Sequence, residues 1–135
     1  MKQKNKRNII TLDNSSKKEV LKSIINTIKK SKTFFIAGHM RPDGDTIGSG
    51  LALASMLRRL GKKAVHCSSD AIPDDLLFMK GAKNIKITGR ENSFFDCAVI
   101  LESINLSRIG NIISLPQAKT IINIDHHLAH TNFGH

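Results

Sequence analysis

At 135 residues the chain has the length of one domain, and an apolar content of 40% is that of a soluble globular fold with a real core. Its formal charge of +10 favours polyanionic partners such as RNA, nucleotides or polyphosphate, although the basic residues are scattered apart from the opening M-K-Q-K-N-K-R. Trp and Tyr are absent, which argues against a pure nucleic-acid-binding module; no apolar run reaches the roughly 18 residues of a membrane helix, and without a signal peptide the chain is expected in the cytoplasm.

Residues 1–15 read as a disordered basic tail and residues 16–135 as the folded part. Ser16 and Glu19 form a capping box ahead of the stripe Val20, Leu21, Ile24, Ile25 and Ile28, which predicts a helix ending near residue 30. Thr33 to Ala37 is a buried strand. Beyond the loop that follows, Ile47, Leu51, Ala54, Leu57 and Leu60 recur at helical spacing up to Gly61, with Gly48, Ser49 and Gly50 small enough for close approach to a sheet. Next come a strand over Ala64 to Cys67, a turn over Asp70 to Pro73, a brief helix from Asp74 to Lys80 and a weak strand from Asn84 to Thr88. Ala98 to Leu101 suits a central parallel strand, Leu106 to Ile113 a short helix stopped by Pro116, and Thr120 to Ile124 one more buried strand. Cys67 and Cys97 are isolated and fit buried, reduced thiols. The alternation predicts an α/β fold, a parallel β-sheet flanked by helices. The final D-H-H-L-A-H-T-N-F-G-H has no apolar periodicity, and the chain is expected to be the N-terminal piece of something longer.

Three predicted strands end in groups that metals accept: His39, Asp43 and Asp45 after the first, Glu102 after the second, and Asp125, His126 and His127 after the third. In a parallel sheet these carboxyl ends share one edge, so the side chains converge. Asp96 starts the strand that Glu102 ends, on the order of 20 Å away, and is set aside. Each residue also has an ordinary explanation: Asp45 as a helix N-cap, Asp43 as a turn residue, Glu102 as a helix-start charge with Ser103 as cap. Taken together, carboxylates and imidazoles without a thiolate suit Mn²⁺, Mg²⁺ or Fe²⁺. Enough donors are present for two ions if one carboxylate bridges, and the matching chemistry is hydrolysis of a phosphate ester.

The pattern H-x-x-P-D-G-D-x-x-G-S together with I-D-H-H resembles the DHH phosphoesterase superfamily, which includes RecJ-like exonucleases, and is closest to its bifunctional oligoribonuclease and pAp phosphatase (NrnA-like) branch. The resemblance implies a Rossmann-like domain in which His39 and Asp43 bind one Mn²⁺, Asp45 and His126 bind a second, and Glu102 bridges them. It also implies that Asp125 orients a neighbouring ligand, that His127 faces the scissile phosphate, and that Arg41 contacts a substrate phosphate. The substrate would be a short RNA or a nucleotide phosphate. The family pattern has Asp at the position of Glu102, a further metal-binding Asp downstream, and a C-terminal substrate-binding domain, so that domain or a homodimer is the expected partner. Two alternatives remain: a catalytically silent metal- or nucleotide-binding fragment, and a pyrophosphatase or exopolyphosphatase.

Overall fold

The computed structural model describes residues 8–10 and 17–127, the first three by backbone alone. The fold is a six-stranded sheet in the order β1-β6-β5-β2-β3-β4. The strands are β1 (Asn8–Ile10), β2 (Thr33–Ala37), β3 (Lys63–Ser68), β4 (Lys86–Ile87), β5 (Phe95–Leu101) and β6 (Ala118–Ile124), and every neighbouring pair is parallel. Two helices, α1 (Lys17–Lys30) and α2 (Gly44–Arg59), flank it.

Beyond Thr33 and Asp96 at their amino ends, the central strands β2 and β5 are apolar because both sheet faces are covered. On one face Phe34 and Ile36 of β2 and Cys97, Val99 and Leu101 of β5 pack with Ile24 of α1 and Ala54 and Leu57 of α2. On the other, Phe35, Ala37, Ala98 and Ile100 meet Ile109, Ile112 and Ile113. Phe34 and Phe35 are both fully buried, each contributing roughly 2–3 kcal/mol of transfer free energy.

The second face is covered by irregular chain, which corrects the helix expected over Leu106 to Ile113. Only Leu106–Ile109 forms a 3-10 turn, and Gly110 (φ 72°) and Asn111 (φ 28°) then turn left-handed. A right-handed helix cannot pass two such residues, so the isoleucines reach the core from a turn. Likewise the helix expected over Asp74 to Lys80 is a 3-10 turn at Asp74–Leu76 followed by i→i+3 bonds such as Met79 N–H to Leu76 O. Ser16, half of the predicted capping box, lies outside the described residues, as do residues 128–135. Within the stretch read as a basic tail, Asn8–Ile10 is an edge strand in register with Thr120, Ile121 and Ile122.

The order of the strands positions the site. From β2 the chain runs to β3 and β4 on one side, then crosses to β5 and β6 on the other, where β1, from the start of the chain, lies outside β6. The sequence order therefore reverses between β2 and β5, and the crevice at their carboxyl ends is where open α/β sheets bind ligands.

Candidate metal centre

Residues 38–43 carry the chain from β2 into α2 so tightly that Gly38 has no room for a side chain: a Cβ there would sit 2.0 Å from Thr46 Cγ2. Asp43 is extended (φ −101°, ψ −177°) and caps α2, its Oδ1 accepting from the Thr46 N–H at 2.9 Å and the Thr46 hydroxyl at 2.9 Å. That backbone bond is the main reason its carboxyl lies below the usual aspartate range. Asp43, not Asp45, is thus the N-cap. Asp45 sits one residue inside the helix and, among the described residues, accepts from the Ser49 hydroxyl at 3.2 Å. His39 Nδ1 donates to the Met40 carbonyl at 2.7 Å, while its Nε2 lies 2.8 Å from Thr46 Oγ1 and 3.7 Å from Asp43 Oδ2. A histidine whose one nitrogen is tied to a backbone carbonyl presents the other in a fixed direction, the usual arrangement of a metal ligand.

Glu102 follows β5 directly, its N–H bonded to Ile124 O at 2.9 Å. Its φ of 52° is left-handed, a conformation that costs a non-glycine residue about 1 kcal/mol or more. Its Oε2 lies 3.0 Å from His126 Nε2, and Asp45 Oδ2 lies 3.8 Å from the same nitrogen. Two carboxylates from different elements therefore face one imidazole. Burial, then the Asp45 charge, pushes the Glu102 carboxyl upward, and His126 only partly offsets them.

Asp125 and His127 form a pair beside this cluster. Asp125 Oδ1 accepts from His127 Nδ1 and from the His127 N–H at 3.2 Å, whereas its Oδ2 is buried with no hydrogen-bond partner among the described residues. Desolvation pushes the Asp125 carboxyl up, but the two His127 bonds and the His127 charge together bring it below its ordinary value. The reciprocal bond raises His127. Glu102, His126 and His127 each offer a donor atom within 4.8 Å of the others.

The structure thus joins His39 to Asp43, and Asp45 to Glu102 through His126, with Asp125 and His127 adjoining. Arg41 is on the same loop, exposed and left-handed (φ 53°), and its N–H donates to Asp70 Oδ2 at 2.6 Å. Asp96 lies at the opposite edge, bonded to Lys32, Thr33 and Lys119. Sequence reasoning missed Thr46, which holds Asp43 and His39 together, and Asp70, read only as a turn residue. Asp70 follows β3 as Glu102 follows β5, and this same strand-tip position was the available signal. Ser103 does not cap a helix: its hydroxyl donates to Asn105 O, and Asn105 caps the 3-10 turn.

These residues fit a hard divalent cation. The donors are carboxylate oxygens and imidazole nitrogens, one carboxylate oxygen is buried without a hydrogen-bond partner among the described residues, and two carboxylates crowd a single ring. The thiols do not compete, since Cys67 and Cys97 are buried and free, and burial pushes both to about 12.

The sequence pattern of the DHH family, N-terminal domain, matches residues 33–134. The chain is 34% identical over 117 residues to the bifunctional oligoribonuclease and PAP phosphatase NrnA of Thermus thermophilus, covering 87% of this chain and 33% of that protein. Among solved structures it resembles an exopolyphosphatase-related protein from Bacteroides fragilis, with a TM-score of 0.76 and 28% identity over 84% of this chain and 36% of that one. The chain therefore spans about a third of the length of these relatives. With a family match through every strand from β2 to β6, the chain belongs to the DHH family of phosphoesterases and carries its N-terminal domain.

Proposed function

We propose that this chain is the metal-binding, catalytic part of a phosphoesterase that hydrolyses phosphodiester or phosphomonoester bonds of short oligoribonucleotides or of 3′-phosphoadenosine 5′-phosphate. The observation that carries the reading is the convergence of Asp45 and Glu102 on His126 Nε2, at 3.8 and 3.0 Å, at the switch-point edge of the sheet. His39 and Asp43 would hold one Mn²⁺ and Asp45 and His126 a second, with Glu102 between them; Mg²⁺ suits the same donors. Such a pair, when bound, supplies a water acidified to near neutrality and positive charge for the entering and leaving oxygens.

The protein's own residues do the rest. Asp125 fixes the His127 ring through Nδ1 and raises its pKa, so the imidazolium that donates to a phosphate oxygen persists to higher pH. Arg41 offers a guanidinium to a substrate phosphate. A net charge of +10 draws polyanions toward the site. The substrate class rests on the Thermus thermophilus relative, described as an oligoribonuclease and PAP phosphatase. A C-terminal substrate-binding domain, or a second copy of the chain, completes the substrate's grip in this reading. The reading includes a cytoplasmic location, and among the described residues no helix is long and apolar enough to cross a membrane.

A second reading, pyrophosphatase or exopolyphosphatase, is favoured by the Bacteroides fragilis relative. A third, a silent metal- or nucleotide-binding module, is favoured by Glu102 where the family pattern has Asp. Mn²⁺ calorimetry followed by assays on a dinucleotide, on 3′-phosphoadenosine 5′-phosphate and on pyrophosphate separates them. The expected result is Mn²⁺ binding with turnover of the first two substrates. Release of phosphate from pyrophosphate alone selects the second reading, binding without turnover the third, and no Mn²⁺ binding at pH 8 overturns all three.

A further inference from the structure

The two halves of the metal centre are built differently. His126 Nε2 and Glu102 Oε2 are in contact at 3.0 Å, so each crowds the atom that a cation would take from the other. His39 Nε2 and Asp43 Oδ2 stand farther apart, at 3.7 Å, although the two residues share one short loop. A single side chain accounts for the difference. Thr46 Oγ1 lies 2.8 Å from His39 Nε2 and 2.9 Å from Asp43 Oδ1, and Thr46 is only 2% exposed, in the first turn of α2.

This bridge has one hydrogen for two acceptors. His39 Nδ1 donates to the Met40 carbonyl, so Nε2 of the neutral ring carries a lone pair, and the Asp43 carboxylate only accepts. The Thr46 N–H already donates to the same Asp43 oxygen at 2.9 Å, which keeps the helix cap whichever way the hydroxyl turns. Losing Nε2 to a cation therefore strands no group: the hydroxyl hydrogen turns to Asp43 Oδ1, and Asp43 Oδ2, which no hydrogen bond among the described residues engages, stays available. The Thr46 methyl has a separate part. Its Cγ2 fills the space over Gly38, where a Cβ would come within 2.0 Å of it. Hydroxyl and methyl can thus be removed one at a time.

We infer that Thr46 is a positioning residue for the ion that His39 and Asp43 hold. Its hydroxyl spaces the two ligands and fixes the direction of each, so this half of the centre is set before a cation arrives, whereas the His126 half has first to part from Glu102. The inference rests on the metal-binding reading and assigns the control of one half to a group that is not itself a ligand.

The test is Mn²⁺ calorimetry with thermal melts of the metal-free chain, in His126→Ala, where the other half has lost its ring. In that background Thr46→Val, which keeps the methyl and the backbone cap, is expected to melt near its parent and to bind Mn²⁺ about tenfold more weakly. Thr46→Ser, which keeps the hydroxyl and loses the methyl, should melt lower and retain the affinity. Unchanged or tighter binding in Thr46→Val, or affinity that follows melting temperature through both variants, overturns the positioning role. So does a folded His126→Ala that binds no Mn²⁺, since the remaining half was then not set. In the chain with His126 in place, Thr46→Val should weaken one of two Mn²⁺ steps, and an equal loss in both counts against the inference. No Mn²⁺ binding by the unmutated chain at pH 8 overturns the metal-binding reading itself, and is thereby told apart from a failure at Thr46 alone.

Discussion

Asp96 and Glu102 stand at opposite ends of β5, and the protein treats the two carboxylates in opposite ways. Asp96 accepts from the Lys32 and Thr33 backbone at 2.9 and 3.2 Å and from Lys119 Nζ at 2.8 Å. Those bonds, Lys119 first, bring its pKa down to about 2. Glu102 has one imidazole, a neighbouring carboxylate and a left-handed backbone, and its pKa goes up. A carboxylate that its own fold satisfies serves stability; one that its fold crowds and desolvates is poised for a cation. The amino edge of the sheet holds the domain together, and the carboxyl edge holds unspent electrostatics.

Removing one member of the crowded pair tests that contrast most severely. Asp45→Ala is expected to weaken Mn²⁺ binding at least about a hundredfold, since metal sites lose roughly that much even when an outer partner is removed. The metal-free chain should meanwhile become more stable, by about 0.5–1 kcal/mol, because a like charge near Glu102 is gone. Calorimetry and thermal melts with and without Mn²⁺ read both effects. Equal Mn²⁺ affinity in the variant would erase the distinction between the edges.

Acid titration of the metal-free chain separates the amino edge from the core. His66 is buried against α2, where a Cβ on Gly50 would lie 2.4 Å from its ring, and burial, then the Arg58 charge, lowers its pKa from 6.5 to about 4. Its folded pKa is below its unfolded one, so the unfolded chain takes up the proton first: stability is full above pH 6.5 and lost as pH falls toward 4. The full step is worth about 3 kcal/mol. Asp96 contributes a second step, present above pH 3.8 and lost as pH falls through about 2. Because its side chain is about a quarter exposed, that step is worth only about 1 kcal/mol. Asp96→Ala should shrink the second step, which Glu91 shares because its bond to Lys86 brings its carboxyl from 4.5 to about 2, keep the first, and leave Mn²⁺ affinity unchanged. A change in Mn²⁺ affinity would mean that the two ends of β5 are coupled.

The sequence makes the carboxyl edge readable because a parallel sheet converts three separate strand ends into one place. The runs Phe34–Ala37 and Ala98–Leu101 are continuous apolar segments, so β2 and β5 need no tertiary information. Other parts depend on contacts that no local pattern encodes. Asn8–Ile10 is a strand only because Thr120–Ile122 offers an edge. The isoleucines at 109, 112 and 113 keep helical spacing, yet Gly110 and Asn111 turn left-handed where their loop meets Ser69 and Met40. Asp70 bonds to Arg41 across a separation of 29 residues, and such a bond leaves no mark on the intervening chain. Asp43 and Asp45 are both plausible caps by residue type, and only the placement of Thr46 decides between them.

The mildest perturbation addresses the left-handed residue itself. Aspartate enters the left-handed region more readily than glutamate, so Glu102→Asp should raise the stability of the metal-free chain by a few tenths of a kcal/mol, relieving part of the strain marked by φ 52°. Its effect on Mn²⁺ follows from reach. Glu102 now sets one oxygen 3.0 Å from His126 Nε2, the nitrogen a metal would need. A side chain one methylene shorter withdraws from that nitrogen, releasing both groups to the cation, and the variant should bind Mn²⁺ a few-fold more tightly. Weaker binding in a well-folded Glu102→Asp would show that the longer side chain is needed to span the site. The strain at residue 102 would then be the cost of that reach, and the crowding around His126 would be a fitted arrangement and not a mismatch.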